Sequence, residues 1–262
     1  LSPSRCSEVK RILLTNDDGV DYPGLAILAE ALAGLGELTV VAPDGPRSGS
    51  SMAGSFHGVL AVGEKSLFNG LDATILAGFP VDCVRYGLVR MGAEPPDLVV
   101  VGINHGLNLA SDLHYSGTVG AARDAALWGI PSLAVSSGSL DGSGHWGRPE
   151  EGDLRRAAAW GADIALKILA DGLEPGRFWN LNVPAGAHGP VLGLRETVPG
   201  DMVTAVGFRE EPGGVSLYGY DDLPGEQRPG SDVAAILAGY ASLSRLDTGC
   251  ANPCWKVADR DG

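Results

Sequence analysis

Positive charge is scarce in this sequence. The chain has 19 lysines and arginines against 32 aspartates and glutamates, a formal net charge of −13. The lysines are Lys10, Lys65, Lys167 and Lys256 alone. Such a chain has no electrostatic footprint for a nucleic-acid polymer. A small anion is still an admissible ligand, because a bound metal can reverse the field locally. No apolar run approaches the ~20 residues of a membrane span. Residues 1–6 lack the charged-then-apolar order of a signal peptide, so a cytoplasmic location is expected. Four cysteines, Cys6, Cys83, Cys250 and Cys254, are too few for a disulfide scaffold. Cys83 sits in an apolar run and reads as core; Cys250 and Cys254 read as a plain tail loop. There is no Gly-x-Ser-x-Gly elbow and no phosphate-binding loop with its lysine. The aromatics, 6% of the chain, are scattered and read as core or pocket lining.

What the chain does contain is an alternation of strand and helix patterns. Strands are expected at Ile12–Thr15, Leu38–Val41, Ala73–Leu76, Asp97–Val101, Pro131–Val135 and Phe178–Val183. Helices are expected at about Pro23–Leu35, Val81–Met91, Gly117–Trp128 and Glu151–Ala170. Strands apolar on both faces and separated by helices predict an α/β fold with a mostly parallel sheet covered on both sides. After Pro184 glycine and proline become frequent. Leu192–Tyr220 reads as short antiparallel strands with turns, and Asp232–Tyr240 as a late helix. The expected division is a catalytic core over residues 1–184 and a β-rich C-terminal segment over 185–262, used in oligomerisation.

The chemistry gathers where strands end. The first strand runs into Asn16, Asp17, Asp18 and Gly19. Adjacent carboxylates repel each other, and a bound cation is the usual relief. Alone, such a pair is also ordinary turn and capping chemistry. Two further strands end near it, one at Asp44 with Arg47 and Ser48 beyond, the other at Asn104. In a doubly wound sheet such ends converge. Carboxylates, a hydroxyl and an amide carbonyl form an oxygen-only set suited to Mg²⁺ or Mn²⁺. Zinc with His105 and His114 is a weaker fit, since their spacing does not put two imidazoles on one helix face. Tyr115-Ser116-Gly117-Thr118 opens an Ala-rich helix, and free N–H groups at a helix start suit a phosphate. Ser48-Gly49-Ser50-Ser51 offers further hydroxyls and amides. A hard cation beside such a helix start points to hydrolysis of a phosphate monoester. Two other classes compete. A receiver-type signalling domain also carries an acidic pair after its first strand, but it is about half this length and needs a lysine this chain does not place. A non-catalytic nucleotide-binding protein would bind without releasing phosphate.

These motifs together resemble the SurE survival-protein family. The matching residues are Asn16–Gly19, Val41–Asp44 with Arg47-Ser48, Gly102-Ile-Asn104 with Gly106 and Asn108, and Tyr115–Val119. Asp82-Cys-Val84, Asn180-x-Asn-Val-Pro184, Ser231-Asp232 and Gly239-Tyr240 follow in order. The resemblance implies a Rossmann-like core, a metal-dependent 5′-nucleotidase acting on nucleoside monophosphates, and a homodimer or homotetramer built partly through C-terminal segments. It implies Asp17, Asp18, Ser48 and Asn104 as metal ligands, with Asp17, Asp18 and Asn104 catalytic. Asn16, Ser48, Gly49, Ser50, Asn108, Ser116, Gly117 and Thr118 are the expected phosphate and substrate contacts. The chain departs from the family pattern at Arg123-Asp124 and at Arg245 and Asp247, and it has no histidine between Tyr240 and Trp255. Charged departures near a pocket imply, as an alternative, a pathway-specific phosphatase acting on a modified nucleotide or another phosphorylated intermediate.

Overall fold

A computed structural model describes residues 9–68, 70–92, 94–140, 146–186, 190–222 and 226–250. The strands are β1 (Arg11–Thr15), β2 (Glu37–Pro43), β3 (Val62–Ser66), β4 (Asp72–Leu76), β5 (Leu98–His105), β6 (Ser132–Leu140), β7 (Trp146–Gly147), β8 (Arg177–Pro184), β9 (Leu194–Thr197), β10 (Val203–Glu211), β11 (Gly214–Asp222) and β12 (Ala241–Asp247). The helices are α1 (Pro23–Leu32), α2 (Pro80–Met91), α3 (Gly117–Leu127), α4 (Glu151–Asp171) and α5 (Asp232–Leu237), with a 3-10 turn at Ala110–His114. Nine strands order as β3-β4-β2-β1-β5-β6-β8-β12-β9, and β7 pairs with β6 off that path. From β4 to β8 all pairs are parallel. No helix among the described residues is long and apolar enough to cross a membrane.

The strand order fixes where a ligand can sit. From β1 the chain moves outward through β2 and β4, then returns to place β5 on the other side of β1. The connections on either side of β1 diverge, and a crevice opens above the carboxyl ends of β1 and β5. Each face of the sheet carries its own apolar layer. Leu25, Leu28, Leu154 and Ile168 of α1 and α4 cover Ile12, Leu14, Val100 and Leu133 on one side. Val84, Leu88, Val119 and Ala122 of α2 and α3 cover Leu13, Val99, Val101 and Phe178 on the other. Strand residues point alternately to the two faces, so β1 and β5 read as continuous apolar runs.

Several boundaries differ from those the sequence suggests. β5 does not stop at Val101 but continues to His105, with a shift of register against β6 between Val101 and Asn104. Gly102 makes the bulge possible: its φ is +147°, and a Cβ there would stand 2.4 Å from the Val135 carbonyl oxygen of β6. A glycine that reads as a strand terminator is here a mid-strand bulge. Asn104 therefore sits on a strand and not at a loop start. β6 likewise runs on through Ser136, Ser137 and Gly138 to Leu140. Its serines stay buried because they are bonded, Ser137 Oγ donating to Val183 O at 3.2 Å and Ser136 Oγ accepting from Asn108 Nδ2 at 2.7 Å. β3, an exposed edge strand, and the 3-10 turn carry no hydrophobic period and are absent from the sequence reading.

The residues after Pro184 divide. β12 pairs antiparallel with β8, and β9 pairs parallel with β12, so both extend the main sheet. α5, at 232–237 shorter than the expected helix, packs over this edge. Among the described residues, only the β10–β11 hairpin forms a separate two-stranded sheet.

The longest helix is fixed at its start by a carboxylate. Asp153 Oδ2 accepts from Glu150 N at 3.0 Å, while Oδ1 accepts from Gly186 N at 3.0 Å and from Arg156 at 2.9 Å. Burial draws its pKa upward, and these bonds outweigh burial and hold it below the ordinary carboxylate range. A depressed folded-state pKa adds stability that is present above the unfolded value and is lost as pH falls through the folded one. Asp153→Asn should therefore cost about 1–2 kcal/mol at pH 7, comparable to a lost helix cap. The difference from wild type should fade below about pH 4. Urea titrations at pH 7 and pH 3 check it, and an equal deficit at both would contradict the assignment.

Candidate active site

The loop after β1 is built to present two carboxylates. Asn16 closes it: its Nδ2 donates to Gly19 O at 2.9 Å and its Oδ1 accepts from Gly19 N at 3.2 Å. Asn16 is fully buried, so this residue, expected as a phosphate contact, shapes the turn instead. Asp17 is 3% exposed. Its Oδ1 accepts from Thr118 Oγ1 at 2.5 Å and its Oδ2 from Thr118 N at 3.2 Å. Asp18 Oδ2 accepts from His105 N at 2.9 Å. Burial and the neighbouring Asp18 charge push Asp17 up to about 7, against the Thr118 bonds. Burial pushes Asp18 up to about 6, against the His105 N–H. No cation bonds either carboxylate among the described ion pairs; Arg47, whose main chain meets that of Asp17, turns its guanidinium to Asp44.

The second loop reaches across to the first. Arg47 N donates to Asp17 O at 2.7 Å. Asp82, at the start of α2, holds the far end of this loop through Ser55 N at 2.7 Å and Ser55 Oγ at 2.8 Å. Ser51 is engaged structurally, with Oγ donating to His114 O at 2.7 Å. Ser50 Oγ is buried and has no hydrogen-bond partner. A buried hydroxyl without a partner costs free energy, so a ligand group or water is the natural occupant of that position.

The start of α3 sits directly against Asp17. Ser116 caps it, Oγ accepting from Val119 N at 3.1 Å. Thr118 is fully buried, and both its hydroxyl and its N–H turn to Asp17, so this expected phosphate contact instead orients a carboxylate. Gly117, at the first helical position, has no intrahelical acceptor for its N–H. A Cβ there would stand 2.6 Å from Ser50 Oγ and 3.0 Å from Asp17 Oδ2. The start of α3 can lie this close to Asp17 and Ser50 because residue 117 has no side chain.

Asp17, Ser48, Gly49, Asn104, Asn108 and Ser116 line one cleft of about 270 Å³, with Asp18 joined to it through His105. The three loops thus meet at one cleft. From sequence His105 is only a weaker zinc candidate, Tyr115 only part of the start of α3, and Asp112 has no assigned role; all three also line the cleft. The Tyr22 and His105 rings meet at a tilt of 56°, 5.7 Å between centroids, and the Arg148 charge acts on both. A signal for Arg148 was absent, since nothing local in sequence ties it to β1.

The donor set suits a hard cation. Among the described residues no three His, Cys, Asp or Glu side chains gather at one point, as a nitrogen- or sulfur-rich zinc site would require. A buried and a partly buried carboxylate outside the described ion pairs, an amide oxygen and hydroxyls fit a divalent cation that keeps some of its water. Asn104 Nδ2 donates to Gly106 O at 2.9 Å, which leaves its carbonyl oxygen as the end available to such an ion.

Comparison with known proteins agrees with this geometry. The family described as "Survival protein SurE" matches residues 12–206. The chain belongs to the SurE family. It is 41% identical over 244 residues to the "5'-nucleotidase SurE" of Geobacter sulfurreducens, covering 90% of this chain and 87% of that one. It is 38% identical over 243 residues to the "5'/3'-nucleotidase SurE" of Shigella dysenteriae, covering 90% and 89%. The crystal structure of the SurE protein from Aquifex aeolicus superposes with a TM-score of 0.75 at 32% identity, covering 92% of this chain and 95% of that one. The charged positions at which this SurE protein departs from the pattern do not line the cleft. Asp124 is buried in a bidentate pair with Arg85, at 2.8 and 3.2 Å, and accepts from Trp128 Nε1 at 3.1 Å. Arg123 lies over the Phe178 ring at 5.7 Å and feels Asp247. Arg245 lines a separate groove beside the end of α4.

The carboxylate pair has a testable signature in the metal-free protein. An acid whose folded pKa is raised destabilises the fold where it is ionised, so stability from this source falls as pH rises from about 4 to 7. An amide at position 17 keeps both Thr118 contacts, since the hydroxyl can accept as well as donate. Asp17→Asn in EDTA at pH 8 should therefore match or exceed wild type, by roughly 1–3 kcal/mol. The gap should close near pH 4. Added Mg²⁺ or Mn²⁺ should raise Tm of wild type and not of the variant. A variant clearly less stable than wild type in EDTA at pH 8 would contradict this account.

Proposed function

We propose that the protein is a divalent-cation-dependent phosphomonoesterase acting on nucleoside 5′-monophosphates. The observation that carries the reading is buried Asp17, beside Asp18 and without a described ion pair, on one cleft with Ser48, Asn104 and the Ser116 cap of α3. The nucleotidase names of the relatives point the same way. Asp17, Asp18, Ser48 and Asn104 would hold the cation, Mg²⁺ or Mn²⁺ by their hard oxygen chemistry. When bound, such an ion polarises a phosphoryl oxygen and lowers the pKa of water. The chain's own groups do the rest. Thr118 and the His105 N–H keep the two carboxylates in fixed orientations. Gly117 N–H and the Ser50 hydroxyl offer donors to phosphate oxygens, beside the loop residues Ser48 and Gly49. Tyr115, 62% exposed at the cleft wall, gives the remainder of the substrate an aromatic surface.

The test is phosphate release from AMP with Mg²⁺ or Mn²⁺, its loss in EDTA, and its recovery on adding the ion back. Asp17→Asn should lower kcat by orders of magnitude. Cation-dependent binding of AMP with no release would identify a binding protein instead. Because Arg123, Asp124, Arg245 and Asp247 do not line the cleft, they give no ground for a narrow substrate range. Values of kcat/KM within about tenfold across AMP, GMP, CMP and UMP are expected.

The same reading extends to assembly. The β10–β11 hairpin is a two-stranded sheet with Phe208 66% and Val215 62% exposed. Such a hairpin is marginal in water alone, and its open edges invite pairing. A second copy of this chain is its partner in our reading, giving a homodimer or homotetramer. Light scattering at micromolar concentration should report at least twice the 26.9 kDa chain mass. Phe208→Asp should shift the population toward monomer, and a wild-type monomer would overturn the assignment.

A further inference from the structure

Asn108 lies on the cleft wall, and its main chain is held from both sides by side chains of β8. Asn182 Oδ1 accepts from Asn108 N at 2.7 Å, and Asn182 Nδ2 donates to Asn108 O at 3.0 Å. Asn180 Nδ2 donates to the same carbonyl at 3.0 Å. Residues two apart on a strand share a face, so 180 and 182 point to the same spot. Both are fully buried. The Asn182 amide offers one donor and one acceptor to one residue, the pairing that a neighbouring strand would otherwise supply.

That pairing is needed because the strand has ended. β5 stops at His105, and Gly106 N makes one more bond to Ser137 O at 2.8 Å. From there the chain leaves the sheet, and Asn108 is its next anchor. The segment between carries the cleft wall and, through the Asn104 Nδ2 bond to Gly106 O, the orientation of the Asn104 amide. A purely structural purpose fits Asn180 poorly. Its Oδ1 is buried with no hydrogen-bond partner, a costly arrangement that an apolar side chain of similar shape would avoid.

We propose that Asn180 and Asn182 are positioning residues for the reaction: by clamping the Asn108 main chain they fix the segment 104–108 against the carboxylate pair. The inference rests on the phosphomonoesterase reading. Groups that orient a first layer of ligands typically change activity by about 10–100-fold when removed. A small misplacement of a positioned group can cost about as much.

The experiment compares Asn182→Ala, Asn180→Leu and a control, Ser244→Ala. Ser244 belongs to the same buried polar row, bonded to Thr197 at 2.8 Å, and makes no described bond to Asn108. Wild type is assayed first: absence of cation-dependent phosphate release from AMP defeats the functional reading itself. With wild type active, Asn182→Ala should lose about 10–100-fold in kcat, while KM for AMP moves by less than about threefold. Asn180→Leu removes the unpaired carbonyl, so its Tm should hold or rise while kcat still falls severalfold. That opposition of stability and turnover is what a merely structural residue would not give. Ser244→Ala should keep kcat whatever its Tm. If Asn182→Ala does not fold, Asn180→Leu decides alone. Wild-type kcat in Asn180→Leu, or kcat losses that follow Tm across all three variants, would overturn the inference.

Discussion

Two carboxylates stand side by side at the mouth of the sheet, Asp17 buried and Asp18 partly so, and no cation among the described ion pairs answers them. Like charges in a poorly solvated place are unfavourable, which is why both are pushed toward neutral pKa. The surrounding structure keeps them there nonetheless. Thr118 contributes two donors to one, His105 a main-chain donor to the other, and the second loop is tied to the first by Arg47 N. The missing side chain at Gly117 lets the start of α3 approach Asp17 and Ser50 closely. These are the features of a site whose strain is relieved by a ligand and not by the protein.

The rest of the fold supplies that site with rigid supports. The crevice arises from the reversal of strand order around β1, and its walls are extended by segments anchored far away in sequence. Asn180 and Asn182 hold one wall from β8. Asp232 at the start of α5 holds the next stretch: its carboxylate is fully buried and accepts from Ala110 N at 2.9 Å and Gly200 N at 2.7 Å. Burial raises its pKa against those bonds. Ser111 Oγ adds a bond to Met202 O at 3.0 Å. The 3-10 turn beside the cleft and the base of the β10–β11 hairpin therefore share an anchor in Asp232, so the two are mechanically continuous.

Much of this was legible in the sequence where the signal is local. Apolar runs such as 12–15 and 98–101 announce strands because both faces of the sheet are covered, and the helix patterns follow from residues that must pack on them. The convergence of Asp17, Ser48 and Asn104 was legible because parallel strands all end on one edge. Less legible were the places where a residue does an unusual thing. Gly102 reads as an ending and is a bulge, and Ser136 and Ser137 read as a turn and are buried strand. Polar residues hide inside a sheet only when partners are provided from elsewhere, and Ser136 depends on Asn108, which no local pattern shows.

By itself the sequence determined the fold class and the family pattern, and it showed oxygen-bearing side chains gathered where strands end, because these depend on residue type and short-range spacing. Tertiary structure alone decided the roles. It turned Thr118 and Asn16 inward to hold Asp17 and its turn, moved Arg123, Asp124, Arg245 and Asp247 out of the cleft lining, and joined β9 and β12 to the main sheet. It also brought Asn180 and Asn182 beneath Asn108, some seventy positions apart in the chain. The physical reason is the same in each case: a polar side chain takes its function from the partner it meets, and that partner is chosen by packing across the sheet and not by neighbours along the chain.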